Sequence, residues 1–248
     1  MLLVCGAVHA TTAQVTAVVT ADNAYRVGYG PASGPATWLA TVENATSAAQ
    51  IFSCGPGPEA YTFNPGVADY LYIVAYSDKA STQGVLGTFR LAGGQTVNTG
   101  GAWQVFATNQ NVNLGGAGVG NTQANNAITL ANSSNGWRGV VNPNGTTPGL
   151  AVGEINTAGG IFPLTCNTGP TGIPTAAQWM WYTSRPPSSA FNTNPGPGGH
   201  GEFLIFRLPV RALMCTCPRG RADRANEAVT RGLDVRAVPA DSGGGGRP

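Results

Sequence analysis

Ionisable side chains are scarce in this chain. Asp, Glu, Lys and Arg make up 10% of its 248 residues, against roughly 25% in ordinary soluble domains. Gly, Ala, Thr, Ser and Asn take the places that charges usually hold. The surface is therefore neutral, rich in hydroxyl and amide groups, and without the long-range repulsion that keeps copies of a protein apart. Histidine is scarcer still. His9 falls in the N-terminal apolar segment and His200 in a Gly/Pro-rich loop, which excludes Ser-His-Asp triads, HExxH zinc sites and multi-histidine metal centres. No apolar run approaches the ~20 residues that a membrane-spanning helix needs, so no membrane span is expected. Residues 1–210 hold six basic and seven acidic side chains, and all the basic excess lies beyond them. The body thus has no footprint for a phosphate backbone, and no nucleic-acid partner is expected.

The two ends differ from the body. Residues 1–10 carry a short apolar run followed by Val8-His9-Ala10, a small-x-small pattern like a signal-peptidase site. It lacks a basic leading region, so a truncated signal segment and a secreted, extracellular protein are expected. Residues 211–248 have seven arginines, no aromatic residue and a run of four glycines. That is too little apolar surface to offset the entropy of ordering them, and a disordered, dispensable tail is expected. Cys54 and Cys166 are the two cysteines of the body, and in an exported protein such a pair is expected to form a disulfide. Cys215 and Cys217, in the tail, are too close together to chelate zinc by themselves.

Between the ends the pattern is that of strands. Residues 70–76, YLYIVAY, form an unbroken aromatic and β-branched run, which predicts a central strand buried on both faces. Residues 85–91 and 103–105 alternate and are bounded by glycine pairs. Residues 14–20 alternate Val15, Ala17 and Val19 with Thr16, Val18 and Thr20, and the following stretch places Tyr25, Val27 and Tyr29 on one face. Further strands are expected over 136–141, 177–182 and 202–210. Prolines break residues 31–68 into loops and short strands. Residues 108–136 are poor in large apolar groups and predict a long surface excursion around one strand near 127–130. No amphipathic helix of normal length is expected before residue 210. The fold class is all-β.

Taken in order, several landmarks resemble those of galactose-binding-like jelly rolls, which occur as accessory domains of extracellular glycosidases and in bacterial secreted proteins. They are Ala21-Asp22-Asn23-Ala24-Tyr25 opening a strand, residues 84–89, Asn98-Thr99 leading to Trp103, Trp179-Met180-Trp181, and Phe206-Arg207 in the closing strand. The resemblance covers roughly residues 20–210 and implies a jelly-roll β-sandwich with long loops. Gly28-Tyr29-Gly30 replaces the strand ending in Asn-Gly that is common in the family, and its ligand-contacting loops find no match here. The resemblance therefore implies fold more than sugar binding. The expected organisation is a signal segment at 1–10, a strand-like arm at 11–20, the sandwich at 21–210 and the tail at 211–248.

A catalytic carboxylate pair would need two of the body's seven acids to converge, for instance Glu43 with Glu59 or Glu154, and no spacing asks for it. A non-enzymatic protein is expected. Trp38, in a loop-like context, and Trp137, beside Arg138, are the candidate platforms for a sugar ring, whereas Trp179 and Trp181 alternate along a strand and are expected in the core. Asp22, Asn23, Asp69 and Asp78 could hold a structural Ca²⁺ of the kind found in related jelly rolls, although turn capping is the simpler use. No other cofactor is expected. Asn44, Asn132 and Asn144 begin Asn-x-Ser/Thr glycosylation sequons.

Two functions follow. One is a structural subunit of a surface layer or fibre, whose partners are copies of itself. The other is a carbohydrate-binding module, whose partners are glycans. A binding module usually accompanies a catalytic domain, which this sequence does not contain, and that favours the structural reading. Residues 11–20 supply a mechanism. Val15, Ala17 and Val19 line an uncharged assembly arm that can pair within its own sheet, or add to a neighbour's sheet edge and propagate a filament.

Overall fold

The structure is a computed structural model that describes residues 12, 14–39, 43–78, 82–93, 95–112, 118–141, 147–156, 163–184, 190–191 and 202–214, with backbone only at 154 and 155. In chain order its elements are β1 Val15–Asp22, β2 Ala24–Gly30, β3 Thr37–Trp38, β4 Glu43–Asn44, α1 Ala48–Phe52, β5 Glu59–Phe63, β6 Tyr70–Tyr76, β7 Gly84–Leu91, β8 Thr96–Asn98, β9 Gln104–Asn111, α2 Asn121–Ser133, β10 Gly149–Ile155, β11 Gln178–Thr183, β12 Glu202–Pro209 and α3 Arg211–Met214. The first sheet runs β10-β11-β7-β1-β5, with β8 beside β7. The second runs β3-β2-β6-β12-β9, with β4 also on β2. The chain passes repeatedly from one sheet to the other, and the two antiparallel sheets pack as an all-β sandwich of jelly-roll kind.

The second sheet explains the long apolar run. Leu71, Ile73 and Ala75 of β6 join Leu204, Phe206 and Leu208 of β12 in the core between the sheets. The alternate residues Tyr72, Val74, Tyr76, Phe203 and Ile205 form a second core on the outer face. A strand covered on both sides has no polar face, so β6 loses the alternation that half-buried strands keep. What covers the outer face is α2. Ala124, Ala127, Ile128 and Ala131 recur at helical spacing and are fully buried. The helix ends where Asn135 takes a left-handed φ of 49° and Gly136 N–H reaches back 2.7 Å to Ala131 O, a Schellman-type stop.

This helix overturns the expectation of a loop around a strand at 127–130. Its Asn- and Thr-rich sequence has low intrinsic helix propensity, so its formation rests on docking small alanines against the sheet. Gly149–Ile155 was likewise not anticipated as a strand. It carries a bulge at Gly153, whose φ of 148° suits glycine. Residues 136–141 are not a full strand. Arg138 exchanges two 2.8 Å backbone bonds with Val105 of β9, while Gly139 O accepts from Leu150 N–H of β10 at 2.9 Å. The segment thus ties the second sheet to the first along one side of the sandwich.

The arm has a definite place. β1 pairs with β7 on one edge and β5 on the other, and Val15, Ala17 and Val19 are all fully buried. Of the two alternatives, the strand within its own sheet is the one observed, because a central position gives it two ladders and a core face at once. The packed body also runs past Val210. Leu213 of α3 is buried in the core, 1% exposed, so the boundary of the sandwich lies at Met214 rather than at 210. The expectations for residues 1–10 and 215–248 concern residues outside those described.

Candidate functional site

Two clusters of polar groups stand out, one on the outer face of the second sheet and one between the sheets. On the outer face, Trp38 and Trp137 lie at opposite borders of the aromatic group around Tyr72, at ring distances of 6.3 and 6.5 Å. Neither is an open platform. Trp38 Nε1 donates to Asn125 Oδ1 of α2 at 3.0 Å, and its ring lies so near Gly28 that a Cβ there would come within 2.6 Å of it. Glycine at 28 is what lets the indole lie flat on β2. Trp137 Nε1 donates to Asn132 Oδ1 at 2.8 Å, and the guanidinium of Arg207 lies 3.9 Å from its ring centroid. Both indoles thereby fasten α2 to the sheet.

Arg207, which sequence reasoning noted only as part of the closing strand, is the centre of this cluster. It projects from β12 and is flanked by the rings of Trp137 and, at 4.9 Å, Tyr70. Its Nε donates to Gln104 Oε1 at 2.9 Å and its Nη1 to Asn132 Oδ1 at 3.2 Å. Burial lowers its pKa, opposed by the phenols of Tyr70 and Tyr72. Arg138 is exposed and donates to Asn135 O at the end of α2, where a cation complements the helix dipole.

The second cluster is acidic. A cavity of about 30 Å³ is bordered by Thr20, Asn23, Tyr25, Glu43, Gln50 and Glu59. This is room for a water or two and too little for a sugar ring. Tyr25 Oη lies 2.9 Å from Val19 O and 3.0 Å from Tyr61 Oη, and it also contacts Glu59 Oε2. A phenol has one proton. That proton is shared between two acceptors, the Val19 carbonyl and Glu59 Oε2. Burial pushes the Glu59 carboxyl up to about 7, with the Tyr25 hydrogen bond acting against the shift and Glu43 adding to it. The pair Glu43 and Glu59 therefore does converge, but on a space that admits only water.

The remaining expected residues are dispersed. Cys54 and Cys166 form a disulfide closing a separation of 112 residues, with a Cα–Cα distance of 4.7 Å. Thr165 and Cys166 N–H both donate to Phe52 O at the end of α1. Asp69 and Asp78 lie at opposite ends of β6 and cannot share one ion. Asp69 Oδ2 accepts from Gly66 N–H at 2.7 Å, which is turn capping, whereas Asn23 Oδ1 accepts from the distant Asp78 N–H at 2.9 Å and ties two loops together. Asp22 accepts from Thr82 at 2.5 Å and is raised to about 6 by burial, with the Thr82 bond lowering it and Asp78 raising it. Among the described residues no group of three or more His, Cys, Asp or Glu is arranged to hold a metal. Asn44 is exposed on β4. The Asn132 side chain is engaged at both atoms, since its Nδ2 also donates to Ala32 O at 2.6 Å. A glycan there would break the clasp. Asn144, His200 and the Glu154 side chain lie outside the described residues. Trp179 and Trp181 are in the core, each 0% exposed. No helix of the described residues is long and apolar enough to cross a membrane. No family model matches the chain, and no curated protein or solved structure is significantly similar to it.

Proposed function

We propose that the protein is a non-catalytic extracellular structural subunit, a jelly roll of galactose-binding-like kind that associates with copies of itself through the edge of β5. The observation that carries this reading is that β5 ends its sheet. Its inner edge pairs with β1, and among the described residues no strand pairs with its outer edge. The border strands β9 and β10 are each bridged at one residue, Val105 by Arg138 and Leu150 by Val140, and β2 is flanked by the short β3 and β4. An edge strand offers unpaired N–H and C=O groups to a second chain, and proteins that avoid this put charges, proline or a bulge there. β5 has none of these on its exposed positions, which are Ala60 and Thr62. Glu59 turns inward to Tyr25. The small number of surface charges removes the repulsion between copies.

Two β5 edges pairing antiparallel about a two-fold axis make a continuous sheet across a dimer. The arm does not serve as the donated strand in this arrangement, since its pairing is already used within the subunit. The disulfide supports an oxidising, extracellular setting. Sedimentation velocity tests the reading. The protein should sediment as a dimer or larger at high concentration, and Ala60→Lys/Thr62→Lys should sediment as a monomer with an unchanged melting temperature. A protein that is monomeric throughout the concentration series would refute it.

A further inference from the structure

The guanidinium of Arg207 is held by four side chains. Two aromatic rings flank it, at 3.9 and 4.9 Å, and two amide oxygens, from Gln104 and Asn132, fix its orientation. A guanidinium has five N–H donors, and these bonds use Nε and one position on Nη1. Nη2 makes no hydrogen bond within the described protein and is not among the buried unpartnered atoms, so it reaches solvent. Among the described residues no carboxylate neutralises the charge, and the groups that act on it are the phenols of Tyr70 and Tyr72. The rings and amides offset part of the cost of drawing this cation out of water, and an anion at its open edge offsets more.

We propose that the outward edge of Arg207, between Tyr70 and Trp137, is a binding site for the carboxylate of an acidic saccharide. The planar fork of a guanidinium matches the two oxygens of a carboxylate, and this one is pre-organised, so little side-chain entropy is lost on binding. A single guanidinium suits a monoanion. The neighbours select for a hydrophilic ligand. Gln104 supplies an amide and Tyr70 a phenol beside the guanidinium. Tyr70 and Trp137 are only partly buried, which leaves apolar ring surface for the C–H groups of a sugar. The site differs from an open tryptophan platform, because here the ring faces hold the arginine and the arginine holds the ligand. It is independent of the β5 edge, which belongs to the other sheet.

The test is a titration of the whole protein with sodium glucuronate at low ionic strength, followed by NMR shifts of the Arg207 Nε–H and the Trp137 indole N–H. Glucose and sodium acetate serve as comparison ligands. Saturable shifts are expected with glucuronate at millimolar concentration. They should be absent with glucose and at least tenfold weaker with acetate, and added chloride should weaken binding. Arg207→Lys should reduce the affinity tenfold or more. Should that variant fail to fold, Gln104→Ala, which keeps the charge but frees its orientation, should still weaken binding several-fold. Shifts that never saturate, or that leave Arg207 and Trp137 unmoved, overturn the site. Acetate binding as tightly as glucuronate overturns the saccharide assignment and marks a bare carboxylate site such as a peptide terminus would fill.

Discussion

Each sheet of the sandwich has an outer face to cover, and the two are covered by different chemistry. On the first sheet, Thr20 donates its hydroxyl to Ile51 O of α1 at 2.8 Å. Leu86, opposite Thr20 in the ladder, is buried on the same side. The five-residue α1 is too short to hold itself together, and Cys54 just beyond it is tied covalently to Cys166. On the second sheet, α2 is long enough for four alanine and isoleucine contacts, and it is fastened by Asn125 and Asn132 to two indoles and a guanidinium. The charges divide in the same way. Among the described residues, Glu59, at the edge of the first sheet, is an acid on which no cation acts, and Arg207, on the second, is a cation on which no carboxylate acts. These two ions are held by phenols, amides and rings.

The comparison breaks most visibly if the covalent tie is cut. Removing it in a Cys54→Ser/Cys166→Ser variant should cost about 2–5 kcal/mol, and about 2–4 °C of melting temperature per kcal/mol for a chain of this size. The effect should be lopsided. Amides of α1 and of residues 163–173 should exchange with deuterium sooner, while those of α2 keep their protection until global unfolding. Equal loosening on both faces would show that the disulfide does not act locally.

A smaller effect separates the two ions. Glu59 has a folded pKa raised to about 7 from its ordinary 4.5. Its contribution to stability is therefore full below pH 4.5 and is lost as pH rises through 7. Glu59→Gln should flatten the fall in melting temperature across that window. It should leave in place the part due to Asp22, which is raised to about 6 in the same direction. An unchanged slope in Glu59→Gln would mean that the carboxyl is ionised in the fold. Arg207, charged throughout this range, should contribute no slope.

How far the sequence revealed this arrangement varies by element, for physical reasons. β6 and β12 were legible because burial on two faces forces dense runs of aromatic and β-branched residues. The cysteine pair was legible because it is the only one in the body. α2 was hidden, since Asn, Thr and Ala dominate it and only the spacing of Ala124, Ala127, Ile128 and Ala131 hinted at a buried stripe. Trp38 and Trp137 were singled out as sugar platforms, and the partners that occupy them come from a helix that was not foreseen. Arg207 had a faint signal: it shares its strand face with Phe203 and Ile205, and an arginine beside two outward apolar residues implies that something covers that face. No local signal could have brought Glu59 to Tyr25, because that contact depends on how the two sheets lie across each other.

The central claim, association through β5, is tested most directly by amide hydrogen exchange of residues 59–63 at low and high protein concentration. Exchange at β5 should slow as concentration rises, while β6 and β12, already paired on both edges, stay unchanged. Identical β5 exchange at both concentrations, with the protein shown to be associated at the higher one, would contradict the claim and move the interface elsewhere.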